Sequence, residues 1–199
     1  MIAGIILAAG LSERMSGDVP KQLRRIGGRP MVSIAATNAI ASSIDEVVVV
    51  TGHEATAVAA AVSATGASVV VNPDYEDGNM TSLRAGVQAL PGREAYVLLL
   101  ADMPGVTTRI IDGMVAAWRQ ERPWAAVATY RDGWRHPVLL SANAMGCVID
   151  RNEPKAVWQM LEAADPGSVL QVPFDMDAPL DVNTSADYES ISREAPTLD

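Results

Sequence analysis

Five short runs along the chain are almost wholly apolar, rich in β-branched residues and free of polar alternation: residues 2–8, 46–51, 67–71, 95–101 and 125–129. That pattern marks strands buried on both faces rather than strands with one wet face. The segments between them, 31–41, 55–65, 81–90 and 109–120, have helical character, and Thr107 or Thr108 is placed to cap the fourth. Strand alternating with helix predicts βαβ units, and so a three-layer α/β/α fold around a mainly parallel, Rossmann-like sheet. Open sheets of this kind bind ligands beyond the carboxyl ends of their strands. The residues just past each strand are therefore the first candidates for a site.

After about residue 130 the rhythm changes. Arg131-Asp132-Gly133-Trp134 reads as a turn, followed by a strand at 137–140, a helix at 155–163 and a strand at 169–172. Asp181-Val182-Asn183-Thr184 leads into a closing helix, with Thr184 and Asp187 forming a capping box in which Asp takes the Glu position. No repeat, low-complexity tract or linker divides the chain, so one domain over 1–199 is expected.

With 49% hydrophobic residues but a single Phe, the core must be built from Ala, Val, Ile and Leu. No apolar run approaches the ~20 residues that span a bilayer, and the first residues lack a basic leader, so a cytoplasmic protein is expected. A net charge of −9 argues against nucleic-acid or lipid surfaces as partners. It leaves room for a nucleotide enzyme whose basic residues gather at one site. The lone Cys147 excludes an internal disulfide and reads as a small core residue rather than a nucleophile.

The first run ends in Leu7-Ala8-Ala9-Gly10-Leu11-Ser12-Glu13-Arg14-Met15. Small residues and a glycine after a strand let backbone N–H groups approach an anion. Arg14 adds a delocalised cation suited to phosphate, and Lys21 a second positive charge. Taken alone, the loop reads slightly better as a strand-to-helix turn with two solvated cations. There is no GxGxxG and no P-loop lysine. The fourth run ends in Ala101-Asp102-Met103-Pro104, where a carboxylate at the sheet edge can hold a divalent cation against phosphates. An isolated Asp-x-Pro would be a capped turn; beside the first loop, the metal reading gains the advantage. Gly78-Asn79-Met80-Thr81-Ser82 opens a helix with amides and hydroxyls able to read a base edge, or simply starts a helix well. Asp181 and Asn183 are a late acid and amide that could complete a metal shell or serve the cap. Thr51 and Gly52 come at the end of the second long strand and join the nucleotide-binding candidates. His53 caps or lines a turn; His136, in Trp134-Arg135-His136-Pro137, lines a substrate pocket or a solvated loop. Zinc ligand spacing and a Gly-x-Ser-x-Gly elbow are both absent.

Taken in order from Leu7 to Tyr188, these pieces resemble the MobA-like nucleotidyltransferases, and among them the cytidylyl-transferring members that act on molybdopterin. The resemblance implies the nucleotide-diphospho-sugar transferase type of fold, with a nucleotide-binding part over about 1–130 and an acceptor-binding part over about 131–190. It implies Leu7, Ala8, Ala9, Gly10, Ser12 and Arg14 with Lys21 as the nucleotide loop, and Ser82-Leu83-Arg84-Ala85-Gly86 as the base-contacting helix start. It further implies Asp102 with Asp181 and Asn183 as ligands of Mg2+, and His136-Pro137 as the acceptor side. Arg14, Lys21 and Asp102 become the catalytic residues; CTP and a phosphorylated acceptor, molybdopterin, become the substrates. A molybdoenzyme or its chaperone is the implied protein partner. Leu-Ala-Ala-Gly in the first loop points to CTP, where guanylyl-transferring relatives carry Leu-Ala-Gly-Gly. The chain departs from the family pattern in its long loop before Pro20-Lys21, in Arg135 where Gly is usual and in Asn183 where a second Asp is usual. The rival readings are transfer to another acceptor or from GTP, a dinucleotide- or flavin-binding oxidoreductase, and a nucleotide sensor without turnover.

Overall fold

The structure is a computed structural model and describes residues 1–11, 19–151, 153, 155–165 and 167–194. In chain order it contains β1 (Ile2–Ala8), the two-residue strands β2 (Arg25–Ile26) and β3 (Arg29–Pro30), α1 (Met31–Ile40), β4 (Glu46–Thr51) and α2 (Ala55–Val62). Then come β5 (Ser68–Val71), α3 (Asn79–Ala89), β6 (Ala95–Leu100), α4 (Thr108–Glu121), β7 (Ala125–Tyr130) and β8 (Gly133–Ser141). The last elements are α5 (Ala142–Arg151), α6 (Ala156–Glu162), β9 (Val169–Pro173) and α7 (Ser185–Glu194).

Seven strands form one sheet in the order β5-β4-β1-β6-β8-β7-β9. β8 runs against both of its neighbours; the other pairings are parallel. The absence of polar alternation in β1, β4, β6 and β7 has a direct cause, since both faces are covered. β5 departs from the expectation, because it is the edge strand and leaves Val69 and Val71 exposed. Ile2, Ile6 and Ala8 of β1 pack with α1, α2 and α4 on one side, while Ala3 and Ile5 pack with α3, α5 and α6 on the other. α3 lies so close that a Cβ on its Gly86 would come 2.6 Å from Ile5 Cγ2 and 3.1 Å from Val50 Cγ2. From β1 the chain moves outward through β4 to β5, then returns across β1 to β6. That reversal opens a crevice at the carboxyl ends of β1 and β6.

The expected three-layer, mainly parallel fold is the observed one. Three features go beyond the sequence pattern or against it. β8 begins at Gly133 rather than 137: past a bulge between Val127 and Ala128, Arg135, Trp134 and Gly133 pair with Ala128, Thr129 and Tyr130. α5 has no counterpart among the expected helices, and it buries Ala144, Met145 and Val148 but turns Cys147 outward. Cys147 is thus exposed and not a core residue. Thr107 takes the N-cap position of α4 without a capping side-chain bond, and Thr108 Oγ1 instead donates to the Asn38 carbonyl at 3.1 Å. The capping box of α7 forms as expected. Asp187 Oδ2 accepts from the Asn183 and Thr184 amides at 3.0 and 2.7 Å, and the Asp187 amide donates to Thr184 Oγ1 at 3.2 Å.

Candidate active site

A cavity of about 400 Å³ opens at the crevice between β1 and β6. Its floor is the end of β1 and the residues just past it, Leu7 through Leu11; a second wall is Leu100, Ala101 and Asp102 at and beyond the end of β6. A Cβ built on Gly10 meets nothing within 4 Å, so no packing demand explains the glycine; it leaves bare backbone at the cavity.

Lys21 enters from a single 3-10 turn, Lys21–Leu23, behind Pro20. The buried Gln22 ties this turn to the sheet, its Nε2 donating to the Ala8 carbonyl at 3.3 Å. Lys21 Nζ ion-pairs with Asp102 Oδ2 and donates to Asn183 Oδ1 at 3.0 Å. Both side chains of the ion pair are largely shielded, at 17% and 18% exposure. The other oxygen, Asp102 Oδ1, is buried and has no hydrogen-bond partner among the described residues. The Val182 amide donates to the Asp102 carbonyl at 3.0 Å, which docks the closing segment and its Asn183 onto the end of β6. Asp181 lies on the same segment. Loss of solvent around its carboxyl and the charge of Asp102 hold its pKa above the usual range, against the pull of Asn183, Lys21 and His136.

The far side of the cavity is built by the segment between β5 and α3, which contributes Tyr75, Glu76 and Gly78, and by Asn79 at the start of α3. Asn72 fixes this segment, donating to Thr81 Oγ1 at 2.8 Å and Ser82 Oγ at 3.0 Å while its Oδ1 accepts the Asp74 amide at 3.0 Å. Tyr75 lies directly on Gly52, where an added Cβ would sit 2.4 Å from Tyr75 Cβ.

Of the residues singled out from sequence, Leu7, Ala8, Ala9, Gly10, Lys21, Asp102 and Asn183 thus border one cavity. Ser12 and Arg14 lie outside the described residues. Thr51 is wholly buried within β4, Gly52 is covered by Tyr75, and Ser82 is buried one turn into α3 in its bond to Asn72; none of the three borders the cavity. His136 and Pro137 lie on β8, outside the lining. The His136 ring meets Trp158 edge-on at 5.3 Å, and its Nδ1 lies 3.4 Å from the Leu98 carbonyl. Burial pulls its pKa down to about 4, against the Leu98 bond and the charge of Asp181. Gln22, Tyr75 and Glu76 escaped the sequence reading. The signal for the last two was their place after β5, where carboxyl-end residues of an α/β sheet belong.

The profile of the MobA-like NTP transferase domain matches residues 4–172. The chain belongs to this family. A similar protein, described as nicotine blue oxidoreductase of Paenarthrobacter nicotinovorans, is 31% identical over 146 residues, 71% of each chain. The bifunctional protein GlmU of Anaeromyxobacter dehalogenans is 33% identical over 132 residues, 64% of this chain but 27% of its own length. The match therefore spans about a quarter of GlmU. Among solved structures, Rv0371c of Mycobacterium tuberculosis in complex with manganese superposes with a TM-score of 0.82 at 27% identity, covering 96% of this chain and 98% of its own. As a MobA-like NTP transferase domain, the chain is a nucleotidyltransferase by family, and the crevice between β1 and β6 is where its fold brings charged side chains and bare backbone together. No described helix is long and apolar enough to cross a membrane.

Proposed function

We propose that the protein transfers CMP from CTP to a phosphorylated small molecule, molybdopterin, and releases pyrophosphate. The observation that carries the reading is the convergence of Lys21, Asp102 and Asn183 with the exposed backbone of Gly10 on one cavity. A phosphate oxygen of the acceptor attacks the α-phosphorus; a new P–O bond forms, the bond to the β-phosphate breaks, and pyrophosphate leaves with the electron pair. The attacking oxygen is already an anion, so no strong base is needed and catalysis is alignment plus charge neutralisation. Lys21, joined by Arg14, neutralises the triphosphate and the leaving pyrophosphate.

A divalent cation, Mg2+, fits the residues present. Asp102 offers an oxygen with no other partner among the described residues, and magnesium takes one or two carboxylates together with phosphate oxygens. Asp102 would hold it with Asp181 or Asn183, and when bound it would neutralise phosphate charge. Residues 131–190 form the acceptor side in this reading, with His136 of β8 packed edge-on against Trp158 of α6.

The test is a pyrophosphate-release screen of each nucleoside triphosphate against molybdopterin and other phosphorylated small molecules. CTP with molybdopterin should be fastest; a preference for GTP would overturn the base assignment. One observation favours a second reading. The relative from Paenarthrobacter is described as an oxidoreductase at 31% identity. Redox chemistry on this fold would give a protein that oxidises a reduced nicotinamide or carries a flavin's visible absorption, and that releases no pyrophosphate.

A further inference from the structure

We propose that Lys21 and the divalent cation are alternative occupants of Asp102, so that the metal enters the site with the nucleotide and not ahead of it. The inference rests on the nucleotidyl-transfer reading and adds an order of binding to it.

The geometry is specific. Lys21 Nζ already sits on Asp102 Oδ2, and Asn183 Oδ1 accepts from the same ammonium at 3.0 Å. The pair is largely shielded from water, so the attraction is weakly screened. A divalent cation placed on this carboxylate would meet a positive charge already there. The protein's share of a metal shell is also incomplete. Among the described residues no group of three or more His, Cys, Asp or Glu side chains is placed to hold an ion. Magnesium-like cations with one or two carboxylates draw their remaining ligands from substrate phosphates and water. A triphosphate resolves both problems at once. It offers Lys21 a more highly charged partner than Asp102, and it brings the missing oxygens. Lys21 then moves from carboxylate to phosphate, and the carboxylate turns to the metal. Through Oδ2 the lysine offsets the charge of the metal-binding carboxylate in the resting protein, and it reaches the polyphosphate when the cation arrives.

The probe is Mn2+ alone, measured by the loss of its free-ion electron paramagnetic resonance signal in the absence of nucleotide. Lys21→Met and Lys21→Gln should each bind Mn2+ at least tenfold more tightly than the unmodified protein. That factor corresponds to Asp102 being released by Lys21 in about a tenth of molecules or fewer. Adding Asp102→Asn to Lys21→Met should remove the gain. Two substitutions of different polarity guard against one failing to fold, and thermal melts identify any that does. Mn2+ affinities equal to the unmodified protein in the folded variants would overturn the proposal, as would a gain that survives Asp102→Asn. Pyrophosphate release by the unmodified protein is read separately. If no triphosphate is turned over while both variants gain Mn2+, nucleotidyl transfer falls and the competition at Asp102 stands. If turnover is normal and the variants gain nothing, only the competition falls.

Discussion

Asp102 has one oxygen on Lys21 and the other buried without a partner among the described residues. Replacing its charge therefore acts in a definite direction. In Asp102→Asn the ammonium loses its ion pair and the proposed metal loses its main ligand. Loss of one charged contact to a transition state costs a few kcal/mol, so pyrophosphate release should fall about 10²-fold or more. The amide is isosteric, so circular dichroism should be unchanged. Near-normal turnover at saturating metal would remove Asp102 from the chemistry. His136 allows a test by pH. Its pKa is pulled down to about 4 by burial, whereas in an unfolded chain it titrates near 6.5. Below about pH 6.5 the unfolded chain takes up the proton and the folded one does not. Stability from this group is thus complete above pH 6.5 and lost as pH falls towards 4. Each unit of the shift is worth about 1.4 kcal/mol, so the melting temperature should drop by roughly 5–10 °C between pH 7 and pH 4.5 from this residue. His136→Asn should flatten that part of the profile, measured against the unmodified protein in the same buffers.

At the scale of elements, the cavity's far wall depends on a contact between two turns. Tyr75 lies on Gly52, just past β4, with no room for a methyl group: an added Cβ would come within 2.4–2.8 Å of Tyr75 Cβ, Cγ and Cδ1. Gly52→Ala must displace Tyr75 and with it Glu76 and Asn79. Overpacking of this kind costs about 1–3 kcal/mol. Triphosphate affinity by calorimetry should fall at least tenfold, with a smaller loss in melting temperature. Unchanged affinity would mean that this wall does not touch the nucleotide. The same turn shows what the sequence conveys and what it hides. β1, β4 and β6 are legible to the residue or nearly so, because burial on both faces forces an unbroken apolar run. Asp102 is legible because a charge directly after such a run is unusual; Lys21, well beyond the end of β1, is legible only as a second cation after Arg14 and through the family resemblance. β2 and β3 are too short at two residues each to show any period. α5 is diluted by Asn143, Gly146 and an exposed Cys147, which leave Ala144, Met145 and Val148 as its only buried residues. Thr51 and Ser82 look exposed by chemistry, yet the sheet and Asn72 bury them. Local pattern fixes elements; which polar side chain faces the crevice is decided by contacts from distant segments.

Across the whole molecule, the site forms only when the chain's last third returns to its first. Lys21 meets Asn183 across 162 residues, and the Tyr188 hydroxyl donates to the Arg25 carbonyl across 163 at 2.7 Å. Val182 and Ile191 pack with Ile26, Met31 and Ile34 in a cluster separate from the two cores that flank the sheet. A satellite cluster of five buried residues is held by less apolar surface than the main cores, so it should open at lower free energy. Hydrogen exchange should therefore find the amides of α7 and Val182 exchanging faster than those of β1, β4 and β6. A bound triphosphate should slow them by a factor of 1 + [L]/Kd, about 100-fold at a hundredfold excess over Kd, if Asn183 must be in place for the nucleotide to bind. Val182→Ala, which removes two methyl groups from a fully buried position, should cost about 1–3 kcal/mol. Its main effect should be faster exchange in α7 and a higher KM for the triphosphate, with kcat little changed. Exchange in α7 as slow as in the central strands, and unmoved by nucleotide, would show the closing segment to be a fixed part of the sheet's packing. Protection that appears with the triphosphate would instead make its docking a step in substrate binding, with Asn183 bringing the chain's end to bear on the lysine at its beginning.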